Sequence, residues 1–267
     1  MMDIEWDDMA GLGFEGFNLS NRDQALFLIA ERDLEAQLIA IKGALKRNSA
    51  AEAEATERIK GMAAQIKLLE PRDTRNADHL NDILTDMLHE SVYHDAAHSM
   101  SAVGMLAPLV ESLFVAIFAG LRDRAQADMN ADPRSKATQD QFWNPQIVFG
   151  KEGPKDDIVR GIAQLANSTG LQPFLPEGYQ KSLSALFAYR NNMFHNGFEW
   201  PLETRQKFAS RIKNDAWPVV WFSQATRGDD PWVFYMSDEF IAHCLQMIDQ
   251  VLEGVGRYLA QNKDDVK

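Results

Sequence analysis

The stretch Tyr189-Arg190-Asn191-Asn192-Met193-Phe194-His195-Asn196-Gly197 sets a permanently charged guanidinium and a titratable imidazole close together, with four residues between them. Arginine offers forked donors to phosphate oxygens at any working pH, and histidine exchanges a proton near neutrality. Such a pair suits metal-free cleavage of a phosphodiester beside a hydroxyl, one residue supplying charge and the other moving protons. Asn191 can orient phosphate or hold the geometry of the pair, and Tyr189 stands next to the arginine. On an ideal helix positions 190 and 195 point about 140° apart, so one helix alone does not aim both at one phosphate. Asn196-Gly197 reads as the helix end, which puts His195 in the last turn, where the negative end of the dipole favours the imidazolium and suits it to donate a proton.

A second constellation is Asp82, Asp86, Glu90, His94 and His98, spaced by four along one helical pattern, with His89 and Asp95 beside them. Three readings stay open: a solvated or interface stripe, a contribution of Glu90, His94 and His98 to the cleft around the arginine and histidine, and a metal site built from those three. His94 follows His89-Glu90 one residue too late for the zinc-protease spacing. No metal ligand set is therefore assigned and no cofactor is expected. Glu111 is an acid inside the apolar run 100–121, and a buried acid needs a partner, Arg190 or another cation, unless it stands at the protein edge.

Helical spacing must position these groups. Apolar residues recur at steps of three and four from Asn21 to Leu45, and an Ala/Glu-rich stretch over 50–69 either continues that helix or folds back before Pro71. The spacing resumes at Leu80 and merges into the run ending at Leu121, where Pro108 predicts a kink or a boundary near Ala107. Residues 131–154 read as a structured loop, and shorter helices follow over about 156–167, 177–196 and 201–214. Two β-rich runs around Arg227-Gly228-Asp229-Asp230 predict a hairpin over about 217–236, and Ser237 opens a last helix to about Ala260. The hairpin aromatics can stack bases, but packing on a core uses the same residues. The expected organisation is an acidic flexible tail over 1–20, a helical region over 21–75, and an all-α helical bundle over 76–267 that carries the hairpin.

The 267 residues have a formal net charge of -12 and a pI near 4.9, which argues against a coat protein that binds nucleic acid by charge alone. An enzyme tolerates that field better, since it gains from binding the transition state. Cys244 is the one cysteine, so no intramolecular disulfide forms, and the acidic N-terminus lacks the features of a targeting segment. A cytoplasmic protein is expected. The run 100–121 carries Ser101, Pro108, Glu111 and Ser112 and reads as a buried core helix, with no membrane partner.

Arg190, Asn191 and His195 together resemble the ribonuclease motif of the HEPN superfamily, an arginine, often a polar residue, a few variable positions and a histidine. The resemblance extends loosely over about 77–260. It implies an all-α core and a homodimer whose motif helices pair across a two-fold axis, so that both arginines and both histidines line one cleft. It also implies a metal-independent endoribonuclease of toxin or defence type, in which a ribose 2'-hydroxyl attacks the adjacent phosphate and leaves a 2',3'-cyclic phosphate. RNA is then the substrate, and an antitoxin or regulatory protein is the expected partner. A non-catalytic nucleotide-binding or assembly module of the same superfamily is the alternative, and a metal-dependent hydrolase using Glu90, His94 and His98 is a weaker one. Gly197 stands where members controlled by nucleotide attachment carry a tyrosine, so that form of control is not expected.

Overall fold

The computed structural model describes residues 19–69, 73–122, 133–135 and 137–262. Ser20 caps the first helix. Its hydroxyl accepts from the Asp23 amide at 3.1 Å while the Asp23 carboxylate accepts from the Ser20 amide, a reciprocal capping box that starts α1 (Asn21–Leu28). After a turn, α2 (Leu34–Leu69) runs unbroken through the Ala/Glu-rich stretch, so the chain does not fold back there. The proposed acidic tail, apart from its last two residues, and Pro71 lie outside the described residues.

Helix α3 (Thr74–Arg122) is 49 residues long, about 74 Å at 1.5 Å per residue. It does not end near Ala107, as Pro108 had led us to expect. Pro108 points to solvent, while Leu106, Ala107, Leu109 and Val110 are buried around it. That packing outweighs the roughly 3 kcal/mol that an interior proline costs. By length and composition α3 can cross a membrane, but 56% of its most apolar 18-residue window is buried inside the protein, which is the environment of a core helix.

The expected loop contains more order than its composition suggests. A short helix, α4 (Gln139–Phe142), leads into an antiparallel hairpin of β1 (Ile147–Gly150) and β2 (Gly153–Asp156). Arg134, fully buried, binds this segment together by donating to the carbonyls of Phe142, Asn144, Ile147 and Gly161. Then come α5 (Ile158–Ser168), α6 (Tyr179–Asn196) and α7 (Leu202–Asn214). The second hairpin pairs β3 (Phe222–Arg227) with β4 (Asp230–Met236), with Gly228-Asp229 at its tip, and α8 (Asp238–Gln261) closes the described chain behind the Ser237 cap.

The protein is mostly helical with two small antiparallel hairpins. One core joins the apolar half of α3 to α6 and α8, and Ala25, Leu28, Leu34, Leu38 and Leu45 of α1 and α2 belong to it. Helix α1 lies so close on α8 that a Cβ on Gly256 would stand 1.7 Å from the Asn21 carbonyl oxygen. Glycine is what permits that approach. The aromatics of the second hairpin pack inward: Trp217, Phe222 and Phe234 cluster with Trp200 and Phe208 around Tyr189, so they are not available to stack bases.

Candidate functional site on the outer face of helix α6

The C-terminal half of α6 divides its side chains cleanly. Tyr189 and Met193 are buried, whereas Arg190, Asn191, Phe194 and His195 face outward. Gly197, at φ +70°, ends the helix and its amide donates to the Met193 carbonyl at 2.9 Å, which leaves His195 in the last turn as expected.

Arg190 is held from two sides. One terminal nitrogen donates to Asn191 Oδ1 at 3.1 Å, and the other lies 3.7 Å from Glu111 Oε2 on α3. Glu111 in turn accepts from Gln146 Nε2 at 2.6 Å, so the loop before β1 steadies the acid that steadies the arginine. Both ends of the Arg190 and Glu111 pair are partly exposed, 38% and 26%, and water screens the attraction. The pair therefore orients the guanidinium more than it stabilises the fold, and a phosphate can compete for the free donors. His195 is exposed and makes no hydrogen bond to protein among the described residues. Phe194, 56% exposed, lies along α3 with its ring edge 3.2 Å from where a Cβ on Gly104 would stand.

Two sequence expectations need correction. Tyr189 does not join this face: it is fully buried, its hydroxyl donates to the Phe234 carbonyl at 2.9 Å, and burial pushes its pKa well above the usual phenol range. One residue of helical rotation, about 100°, turns it from Arg190 into the core. The polar stripe of α3 does not meet Arg190 or His195 either. Glu90 and His94 are exposed and face α2, where they line a cavity of about 780 Å³ with Glu52, Asp95 and His98. Neither Arg190 nor His195 lines that cavity.

Comparison with known proteins found no matching family model, curated protein or solved structure. The site is therefore read from its own chemistry.

His98, the last member of the stripe, lines the cavity it shares with Glu90 and His94 and also a second one beside the start of α8. It is buried, and its Nε2 lies 3.8 Å from Glu52 Oε2 of α2 and 3.8 Å from Asp238 Oδ1 at the start of α8. Burial, with Asp95 and Asp238 close by, raises the Glu52 carboxyl to about 7, and burial raises Asp95 as well. Glu52 and Asp95 share a hydrogen bond, so this pair holds a proton above the usual carboxylate range. Sequence reasoning missed Glu52, Asp238 and Gln146. Each comes from an element remote in the chain from the residue it serves, and no spacing rule reaches across such distances.

Proposed function

We propose that this protein is a HEPN-like, homodimeric, metal-independent endoribonuclease of the cytoplasm, acting through Arg190 and His195. The observation that carries this reading is the pair itself: Arg190 oriented by Asn191 and Glu111, and His195 exposed five residues further along, in the last turn of the same helix. Arg190 neutralises charge as the 2'-hydroxyl attacks phosphorus, and His195 takes or returns the proton, which yields a 2',3'-cyclic phosphate and a free 5'-hydroxyl. Asn191 keeps the guanidinium aimed. Among the described residues neither Arg190 nor His195 lines one of the larger cavities, and in this reading a second copy completes the cleft, with its own α6 supplying the opposite wall. Antitoxin or regulatory proteins would act by covering that face.

The test is cleavage of transfer and messenger RNA by purified protein in excess EDTA, beside Arg190→Ala and His195→Ala. Cleavage with cyclic phosphate ends, falling by about 10²-fold or more in either variant, is the expected outcome. Cleavage unchanged in both variants, or absent from the folded dimeric parent, would overturn the proposal and leave a binding or assembly module as the reading of this face.

A further inference from the structure

Three helices distant in the chain converge beside the second hairpin, and each brings one group able to bind a metal. Glu52 comes from α2, His98 from α3 and Asp238 from the first turn of α8, with their ligand atoms all within 4.8 Å of one another. His98 is 8% exposed, yet neither of its ring nitrogens has a hydrogen-bond partner. Buried imidazoles ordinarily have at least one. Both carboxylates stand at ion-pair distance from the same nitrogen, 3.8 Å, beyond the roughly 2.9 Å of a hydrogen bond.

Separations beyond hydrogen-bond length around one nitrogen leave room for an ion between the groups. Tetrahedral bonds of roughly 2.0–2.2 Å put ligand atoms about 3.3–3.6 Å apart, so the two 3.8 Å separations need contract by only a few tenths of an ångström, and the two carboxylates already lie within 4.8 Å of each other. Charge points the same way. Asp95 adds a third carboxylate beside Glu52, and the cavity that holds all of Glu52, Asp95, His98 and Asp238 has no lysine or arginine in its lining, Arg58 and Lys60 lining the adjoining one.

We infer that Glu52, His98 and Asp238 bind one divalent first-row transition-metal ion, Zn²⁺ being the best fit, and that the ion ties α2 and α3 to the start of α8. An imidazole among carboxylates selects Zn²⁺ over Mg²⁺ or Ca²⁺, which prefer all-oxygen sets. The site shares no residue with the Arg190 and His195 face, so each can fail without the other. An ion bound only by the folded protein stabilises it by mass action.

The full chain, stripped with a chelating resin, is titrated with ZnCl₂ by calorimetry and melted with and without the ion, with MgCl₂ as comparator. One equivalent of Zn²⁺ with a Kd of about 1 μM or tighter, a raised Tm and no comparable response to Mg²⁺ are expected. Glu52→Gln and Asp238→Asn, whose folding circular dichroism checks, each weaken binding at least about tenfold, as does His98→Asn. Glu90→Gln and His94→Asn leave the affinity unchanged. Absence of saturable Zn²⁺ binding overturns the inference. So does binding that survives in folded Glu52→Gln and Asp238→Asn but is lost with Glu90 or His94.

Discussion

At the scale of single residues, Arg190 is held by Asn191 at 3.1 Å and faces Glu111 at 3.7 Å. Arg190, Asn191 and His195 were readable because a helix fixes how side chains three to five residues apart relate. The pairing of Glu111 with Arg190 was anticipated from the cost of an acid in an apolar run, and it is present at 3.7 Å. By contrast, nothing in the spacing of His98 points to Glu52, 46 positions away, or to Asp238. The same holds for His243. Its Nε2 lies 2.7 Å from the Ser182 hydroxyl, its ring packs on Trp221, and burial lowers its pKa below 6.5. A histidine lowered in the folded state resists protonation there, so its contribution to stability is present above about pH 6.5 and is lost as the pH falls below that value. Melting the parent and His243→Gln from pH 8 to pH 5 should show the parent losing its advantage across that interval. Parallel curves would show that His243 is not the cause.

At the scale of elements, the helices were largely legible and the exceptions have identifiable causes. The last helix starts behind Ser237 as its cap predicts, and α6 and α7 lie within two residues of where glycine and proline punctuation put them. Pro108 misled because local cost was weighed without the burial on either side of it. The first hairpin escaped because its strands are four residues each and its partner strand, Gly153-Pro154-Lys155-Asp156, has no apolar alternation; Arg134 supplies from one side chain the order that the strands themselves do not encode. The seating of α1 on α8 is a second feature invisible in sequence, because a glycine at 256 carries no sign of what lies against it. Gly256→Ala should destabilise the protein by about 1–3 kcal/mol, as overpacking does. Urea melts give the magnitude, and hydrogen exchange should report the loss first in α1. Unchanged stability and exchange would mean that α1 yields without cost.

At the scale of the whole molecule, the outward face of α6 beside α3 is where a second copy is expected. Phe194 is 56% exposed and flanked by Arg190, Asn191 and His195, an apolar anchor inside a polar rim. The prediction is a dimer in solution that Phe194→Glu converts to monomer. Sedimentation or light scattering decides it, and an unaltered dimer would place the interface elsewhere. Monomer formation should also remove the proposed ribonuclease activity, because each proposed cleft would lose a wall.

Another consequence follows from where α2 and α3 are packed and where they are not. Between Leu45 and Ile66 on α2, and between Ala77 and Ala96 on α3, neither helix has a buried residue. The pair is joined at its tip by buried Ile66 and Ala77 and at its base by the core, while only half-buried side chains such as Ile59, Leu84 and Met87 line the interval between. This makes it a lever. From Ala96 to Ala77 the arm is about 28 Å long, so a tilt of about 10° at the base carries the tip through roughly 5 Å. Glu52, His98 and Asp238 sit at its fulcrum, and a change in how tightly those three groups are drawn together would be read out, magnified, at the far end.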